Sequence, residues 1–139
     1  MDKTYICQNE KDTCDTAIKI AETLKGGDIV FLEGALGAGK TVFARALIRA
    51  LCSDSELTVP SPTFTLLQTY PYEKGEIWHF DLYRLKDPEE IFELGWEDFG
   101  GNDIALIEWP SRLEHLKPGE VISICIEIKG DVRHIHVAP

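Results

Sequence analysis

Apolar residues recur along this chain with two rhythms, and the switches between them predict its elements. Ile29-Val30-Phe31-Leu32 and Ile104-Ala105-Leu106-Ile107 are continuous apolar runs, short and rich in β-formers, as expected of parallel strands buried on both faces. Helical spacing takes over where apolar residues fall three and four apart. Ala17, Ile20, Ala21 and Leu24 form such a stripe over residues 10 to 25. Asn9 stands as its cap, Glu10 and Asp12 lie in its first turn, and Gly26-Gly27 is its expected stop. Phe43, Leu47, Ala50 and Leu51 mark a second helix over residues 42 to 51, with Arg45 and Arg49 on another side.

Shorter signals complete the layout. Residues 4 to 7 suit a first strand, and the stretch 57–65 holds Pro60 and Pro62, which keep Ser61 and Thr63 in an extended loop. Strands over 66–72 and 77–82 flank Glu73-Lys74-Gly75-Glu76, read as a hairpin with a four-residue turn. Asp87-Pro88-Glu89-Glu90 carries a cap, a first-position proline and a capping-box glutamate, and Gly95 ends the short helix that follows. The tail predicts a last hairpin, 121–128 with 132–137 across Lys129-Gly130-Asp131. These elements add up to an α/β fold in a single domain over residues 1–139. Its central sheet is mainly parallel, with antiparallel additions and flanking helices.

Composition narrows the function. The 139 residues leave no room for a separate substrate domain or a long lid. No run approaches the roughly 18 apolar residues of a membrane span, and the start Met1-Asp2-Lys3-Thr4-Tyr5 has no secretory pattern, so a cytoplasmic protein is expected. Cys7, Cys14, Cys52 and Cys125 are scattered without a metal or redox spacing. The net charge of −10, from 24 acidic against 14 basic residues, offers no basic stripe. Direct binding of DNA, or stable binding of tRNA by the chain alone, is therefore not expected.

Between the first buried strand and the second helix lies the sharpest motif. Gly34-Ala35-Leu36-Gly37-Ala38-Gly39-Lys40-Thr41 satisfies every fixed position of the phosphate-loop pattern G-x-x-x-x-G-K-[ST]. The glycines let backbone N–H groups wrap an anion at a helix start. Gly34, Leu36, Gly37, Ala38, Gly39, Lys40, Thr41 and Val42 are thus candidate nucleotide-binding residues, Lys40 reaching phosphates and Thr41 serving Mg²⁺. Two acids stand where strands end. Glu108 follows the run 104–107 in the position of a Walker B carboxylate, and Asp81 interrupts the apolar stretch Trp78-His79-Phe80-Asp81-Leu82. Asp81 could instead pair with Arg84 or His79, and Glu108 could be a solvated strand end. Ser61 and Thr63 are candidates to face a γ-phosphate and its water. His79, His134 and His136 show no metal spacing and read as ordinary strand residues.

Taken together, Gly34 to Thr41, Ser61-Pro62-Thr63-Phe64-Thr65-Leu66, His79-Phe80-Asp81-Leu82-Tyr83-Arg84-Leu85, Glu93-Leu94-Gly95 and Ile107-Glu108-Trp109-Pro110 resemble the bacterial TsaE family in order and spacing. Two positions depart from the family's usual residues: Ala35, where it has Asp, and Val42, where it often has Thr. The resemblance implies an ATPase subunit for threonylcarbamoylation of the adenosine beside the anticodon in certain tRNAs, acting with TsaD and TsaB. It implies ATP and Mg²⁺ as ligands and catalytic roles for Lys40, Asp81 and Glu108; slow turnover by the subunit alone is expected from the chain itself, since its 139 residues offer no lid and no obvious arginine finger in cis. Thr41 and Glu108 would hold the metal. Apart from the resemblance, a pocket near Arg133, between the start of the first helix and the last hairpin, is the candidate place for the adenine. A small-molecule kinase and a nucleotide-dependent regulatory module without useful hydrolysis are the other readings of the same loop.

Overall fold

Side chains alternate across a strand, so each strand of this chain sorts its apolar residues onto two faces. The structure, a computed structural model, describes residues 2–35 and 37–139. Its order is β1 (Lys3–Cys7), α1 (Glu10–Ala21), β2 (Ile29–Gly34), α2 (Lys40–Leu51), β3 (Leu67–Tyr72), β4 (Gly75–Asp81), α3 (Glu90–Glu93), β5 (Ile104–Glu108), β6 (Ile122–Lys129) and β7 (Val132–Ala138). The strands form one sheet in the order β1-β7-β6-β2-β5-β4-β3. The four inner strands, β6, β2, β5 and β4, run parallel, while β3 pairs antiparallel on β4, and β7 and β1 antiparallel beyond β6. This is the parallel centre with antiparallel additions that the sequence pattern predicts.

Two apolar layers sandwich the sheet. Val30, Leu32, Ile77, Ile104, Leu106 and Ile124 pack on one face against Ala17 and Ile20 of α1 and Phe43, Leu47 and Ile48 of α2. Phe31, Trp78, Phe80, Ala105 and Ile107 occupy the other face. There they meet Leu82, Leu85, Ile91 and Leu113 from α3 and irregular chain, with Trp96 and Phe99 stacked at 4.9 Å. Burying a large apolar side chain of this kind contributes about 1.5–3 kcal/mol, so the two layers, rather than intrinsic propensity, hold the sheet in register. Among the described residues no helix is long and apolar enough to cross a membrane.

Local boundaries differ from expectation where short-range bonds take over. Asn9 caps α1 as expected, its Oδ1 accepting from the Asp12 N–H at 2.8 Å. The helix nevertheless ends at Ala21 rather than near residue 25. The N–H groups of Thr23 and Leu24 donate to carbonyls three residues back, and the Thr23 hydroxyl also donates to the Ile20 carbonyl at 2.7 Å, which tightens the last turn. The hairpin turn is shorter than four residues: Tyr72 lies opposite Gly75, leaving only Glu73 and Lys74 as the loop. The final hairpin is equally tight, with Lys129 opposite Val132 and Gly130 at φ +65°. The two bonds expected of the capping residues form, Glu90 accepting from the Asp87 N–H at 2.9 Å and Asp87 from the Glu89 N–H at 3.0 Å, but they precede the helix: α3 covers only Glu90–Glu93, and its cap position, Glu89, makes no side-chain cap bond.

Candidate functional site

Parallel strands bring the candidate side chains to one edge of the sheet. β2 leads through Gly34 into the glycine loop, and Glu108 at the end of β5 lies opposite both Leu32 of β2 and Asp81 of β4. The alternation that buries Ile77 and Leu106 beneath the helices puts His79, Asp81 and Glu108 on that same face. α2 packs on this face and begins at the same edge with Lys40, so the acids and the head of the helix face one another.

The loop is shaped to receive an anion. Gly37 and Gly39 have φ of +83° and +102°, a left-handed backbone that side-chain-bearing residues rarely adopt. Among the described residues no side chain caps α2, and no acidic residue lies in its first turn, so its leading N–H groups and positive dipole end face the loop. At Gly34 space is the constraint: a Cβ there would come 2.8 Å from the Ile126 carbonyl oxygen of β6. Gly34→Ala is therefore expected to lower stability by about 1–3 kcal/mol through backbone crowding, read as a fall in thermal midpoint; an unchanged midpoint would show that β2 and β6 can separate freely. Leu36, one of the expected loop contacts, lies outside the described residues.

Lys40 carries a buried charge at the head of α2. It is only 6 % exposed, and its Nζ has no hydrogen-bond partner among the described residues. The ammonium sits 3.7 Å from the centre of the Trp109 ring. Burial pushes its pKa below the usual lysine value, while Glu108, Asp81 and Glu33 pull in the opposite direction. Trp109 itself is half-buried and has a left-handed backbone, φ +58°, uncommon for so large a residue. Its ring also meets that of Tyr83 at 4.9 Å.

A cavity of about 280 Å³ joins Lys40, Thr41, Ser61, Thr63, Asp81 and Glu108. Inside it the Ser61 and Thr63 hydroxyls are 2.8 Å apart, and Thr63 donates a long bond of 3.4 Å to Asp81 Oδ2. Asp81 Oδ1 accepts from the Tyr83 N–H at 3.0 Å. Neither alternative partner is bonded to Asp81: Arg84 lies over the Phe64 ring at 4.3 Å, and His79 is bonded to Glu108. Glu108 is not a solvated strand end, being 5 % exposed. A second cavity, about 330 Å³, opens between Asn9 and Thr13 at the start of α1 and the β6–β7 turn, sharing Gly37, Gly39 and Val42 with the first. Arg133 lines it and donates from Nε to the Ala38 carbonyl at 3.0 Å, bracing the loop from behind.

Sequence reasoning missed His79. Its Nε2 lies 2.7 Å from Glu108 Oε2, with both side chains buried. In the sequence its one candidate partner is Asp81; Glu108 is 29 residues away, and only the pairing of β4 with β5 brings it to His79. Parity was the available signal, since His79 lies two residues before Asp81 and shares its face.

Metal ligation can be judged from the donor set. Among the described residues no group of three or more His, Cys, Asp or Glu is arranged to hold a metal ion alone. Mg²⁺ suits such a setting when a hydroxyl or a carboxylate supplies one or two ligands and phosphates and water supply the rest. Thr41 and Glu108 on one cavity, beside the buried Lys40, fit that division.

A strand, a glycine loop and a helix, with acids ending the neighbouring parallel strands, define a fold of the P-loop NTPase type. Known proteins narrow the class. The model of the family described as "Threonylcarbamoyl adenosine biosynthesis protein TsaE" matches residues 7–135. A Rickettsia felis protein named "tRNA threonylcarbamoyladenosine biosynthesis protein TsaE" is 46 % identical over 130 residues, 94 % of this chain and 75 % of that protein. An Aquifex aeolicus protein of the same name is 42 % identical over 110 residues, 79 % and 78 % of the two chains. The crystal structure of the Bacillus protein YdiB superposes with a TM-score of 0.76 at 28 % identity, covering 99 % of this chain and 84 % of that one. The chain belongs to the TsaE family.

Proposed function

We propose that this chain is the ATP-binding and ATP-hydrolysing subunit that supports threonylcarbamoylation of the adenosine beside the anticodon in tRNA. It works in the cytoplasm with TsaD and TsaB, as one P-loop ATPase domain over residues 1–139. The observation that carries this reading is Lys40: a buried ammonium without a hydrogen-bond partner among the described residues, at the head of an uncapped helix and facing two buried acids. A polyphosphate would repay the desolvation of that charge. The loop amides and Lys40 bind the phosphates, and Arg133 borders the base. Thr41 and Glu108 would hold Mg²⁺, which when bound would neutralise phosphate charge. Asp81, held by Thr63 and Tyr83, accepts the proton of the attacking water.

Phosphate release measured with and without TsaD and TsaB tests the reading. Slow release alone, accelerated by the two partners, is expected. Release that requires a small-molecule acceptor would make the chain a kinase, and nucleotide binding with no release in any mixture would make it a regulatory module.

With ten excess negative charges, the chain lacks the long-range attraction that an RNA backbone would need. Filter binding of tRNA to the lone protein at physiological salt is expected to show no sub-micromolar affinity. Tight binding there would contradict the partner-dependent reading.

A further inference from the structure

Glu108 is costly where it stands: a carboxylate at the end of a fully buried strand, 5 % exposed, flanked by Leu32 and Asp81 on the neighbouring strands. Its hydrogen-bond partner is His79. His79 is itself 2 % exposed, and its other ring nitrogen, Nδ1, is buried without a partner among the described residues. A hydrogen on Nδ1 would therefore go unsatisfied in apolar surroundings, whereas a hydrogen on Nε2 is used. The pocket thus accommodates the Nε2–H tautomer, donating to Glu108 Oε2. Among the described residues no other donor is bonded to this carboxylate, and Glu108 lines the cavity that also contains Thr41 and Lys40.

We propose that His79 is a positioning residue: by holding Oε2 from beneath, it fixes the rotamer of Glu108 so that Oε1 points into the cavity as the metal-directed oxygen. The inference rests on the reading of Glu108 as a Mg²⁺ ligand and adds a residue that touches neither metal nor nucleotide. The geometry favours this over simple core packing for two reasons. An aliphatic residue would suit the apolar face of β4 better than an imidazole with one unsatisfied nitrogen. A free carboxylate at a strand end would also sample several rotamers, and groups that orient a metal ligand typically change affinity by about 10–100-fold when removed.

The test uses Mn²⁺ in place of Mg²⁺ with a non-hydrolysable ATP analogue, and reads metal affinity by electron paramagnetic resonance rather than turnover. His79→Leu is expected to weaken Mn²⁺ binding by about tenfold or more, while analogue binding in chelator stays at the wild-type level. His79→Gln, whose amide N–H can reach Glu108, is expected to recover most of the loss. Glu108→Gln serves as the reference and is expected to weaken Mn²⁺ at least as much as His79→Leu. Wild-type Mn²⁺ affinity in His79→Leu beside a weakened Glu108→Gln overturns the positioning role and leaves Glu108 as ligand. Wild-type affinity in Glu108→Gln overturns the metal reading, and the inference with it. Should His79→Leu fail to fold, the imidazole ¹⁵N resonances of the wild type decide: they are expected to shift when Mg²⁺ joins the analogue, and resonances indifferent to Mg²⁺ overturn the proposal.

Discussion

Lys40→Ala is expected to reduce ATP hydrolysis by about 100-fold or more while leaving the nucleotide-free protein as stable as the wild type, or more stable. A charge-assisted contact to phosphate contributes roughly 1.5–3 kcal/mol, and the upper part of that range corresponds to about 100-fold. The stability half of the result comes from burial. Nζ has no hydrogen-bond partner among the described residues, the face of Trp109 lies against it, and burial outweighs the pull of Glu108, Asp81 and Glu33, so removing the charge removes a desolvation cost as well as its contacts. Thermal denaturation with and without ATP separates the two halves: the ATP-dependent rise in midpoint is lost, and the midpoint without ATP does not fall. The pH dependence has a definite sign. Burial lowers the folded-state pKa of Lys40 from 10.5, so the folded protein binds fewer protons than the unfolded chain between the two values. Stability from this group therefore rises with pH across that window and is absent below it, and the difference between wild type and Lys40→Ala should show that rise. A variant that hydrolyses ATP at the wild-type rate would remove the phosphate loop from the mechanism.

Legibility differed sharply between local and long-range features. The strand before the loop, the helix after it, the Asn9 cap and the Asp87–Glu90 bond all depend on residues within a few positions of one another, and each is found where its signal lies. Sheet order was not legible, since adjacent placement of β2, β5 and β4 follows from how two apolar layers are shared among distant segments. The same holds for the site. Glu108 and Asp81 could be placed at strand ends from apolar runs alone, but the depth at which they lie could not. Nor could the His79–Glu108 bond, nor the approach of Trp109 to Lys40, which depends on a left-handed residue before Pro110 that no propensity favours. Helix α1 shows the opposite failure. Its apolar spacing continues to Leu24, yet the Thr23 hydroxyl competes for the Ile20 carbonyl and the helix stops three residues earlier.

Asp81→Asn is expected to lower the rate of hydrolysis by about 100- to 10,000-fold, the span typical of losing a general base, with ATP affinity within a few-fold of the wild type. The split follows from geometry. Lys40, the glycine loop and the head of α2 would make the anion-facing surface, whereas Asp81 lines the cavity from the sheet, beside Ser61 and Thr63. Its two oxygens are used unequally. Oδ1 accepts a bond from the Tyr83 N–H at 3.0 Å, whereas Oδ2 has only the 3.4 Å approach of the Thr63 hydroxyl, itself tied to Ser61. On the proposed mechanism Oδ2 is the oxygen that would take the water, with the Ser61–Thr63 pair beside it to orient that water. Asparagine keeps an acceptor for Tyr83 and nearly the same volume, so the turn into residue 82 should survive; what it loses is the ability to take a proton. Single-turnover phosphate release in the presence of TsaD and TsaB, beside an equilibrium binding measurement with an ATP analogue, reads the two quantities separately. A purely structural Asp81 would give the reverse: a lowered thermal midpoint with hydrolysis per folded molecule unchanged. That outcome would leave the Thr63 and Ser61 hydroxyls without a carboxylate to serve, and the source of the base would then have to be the partner protein.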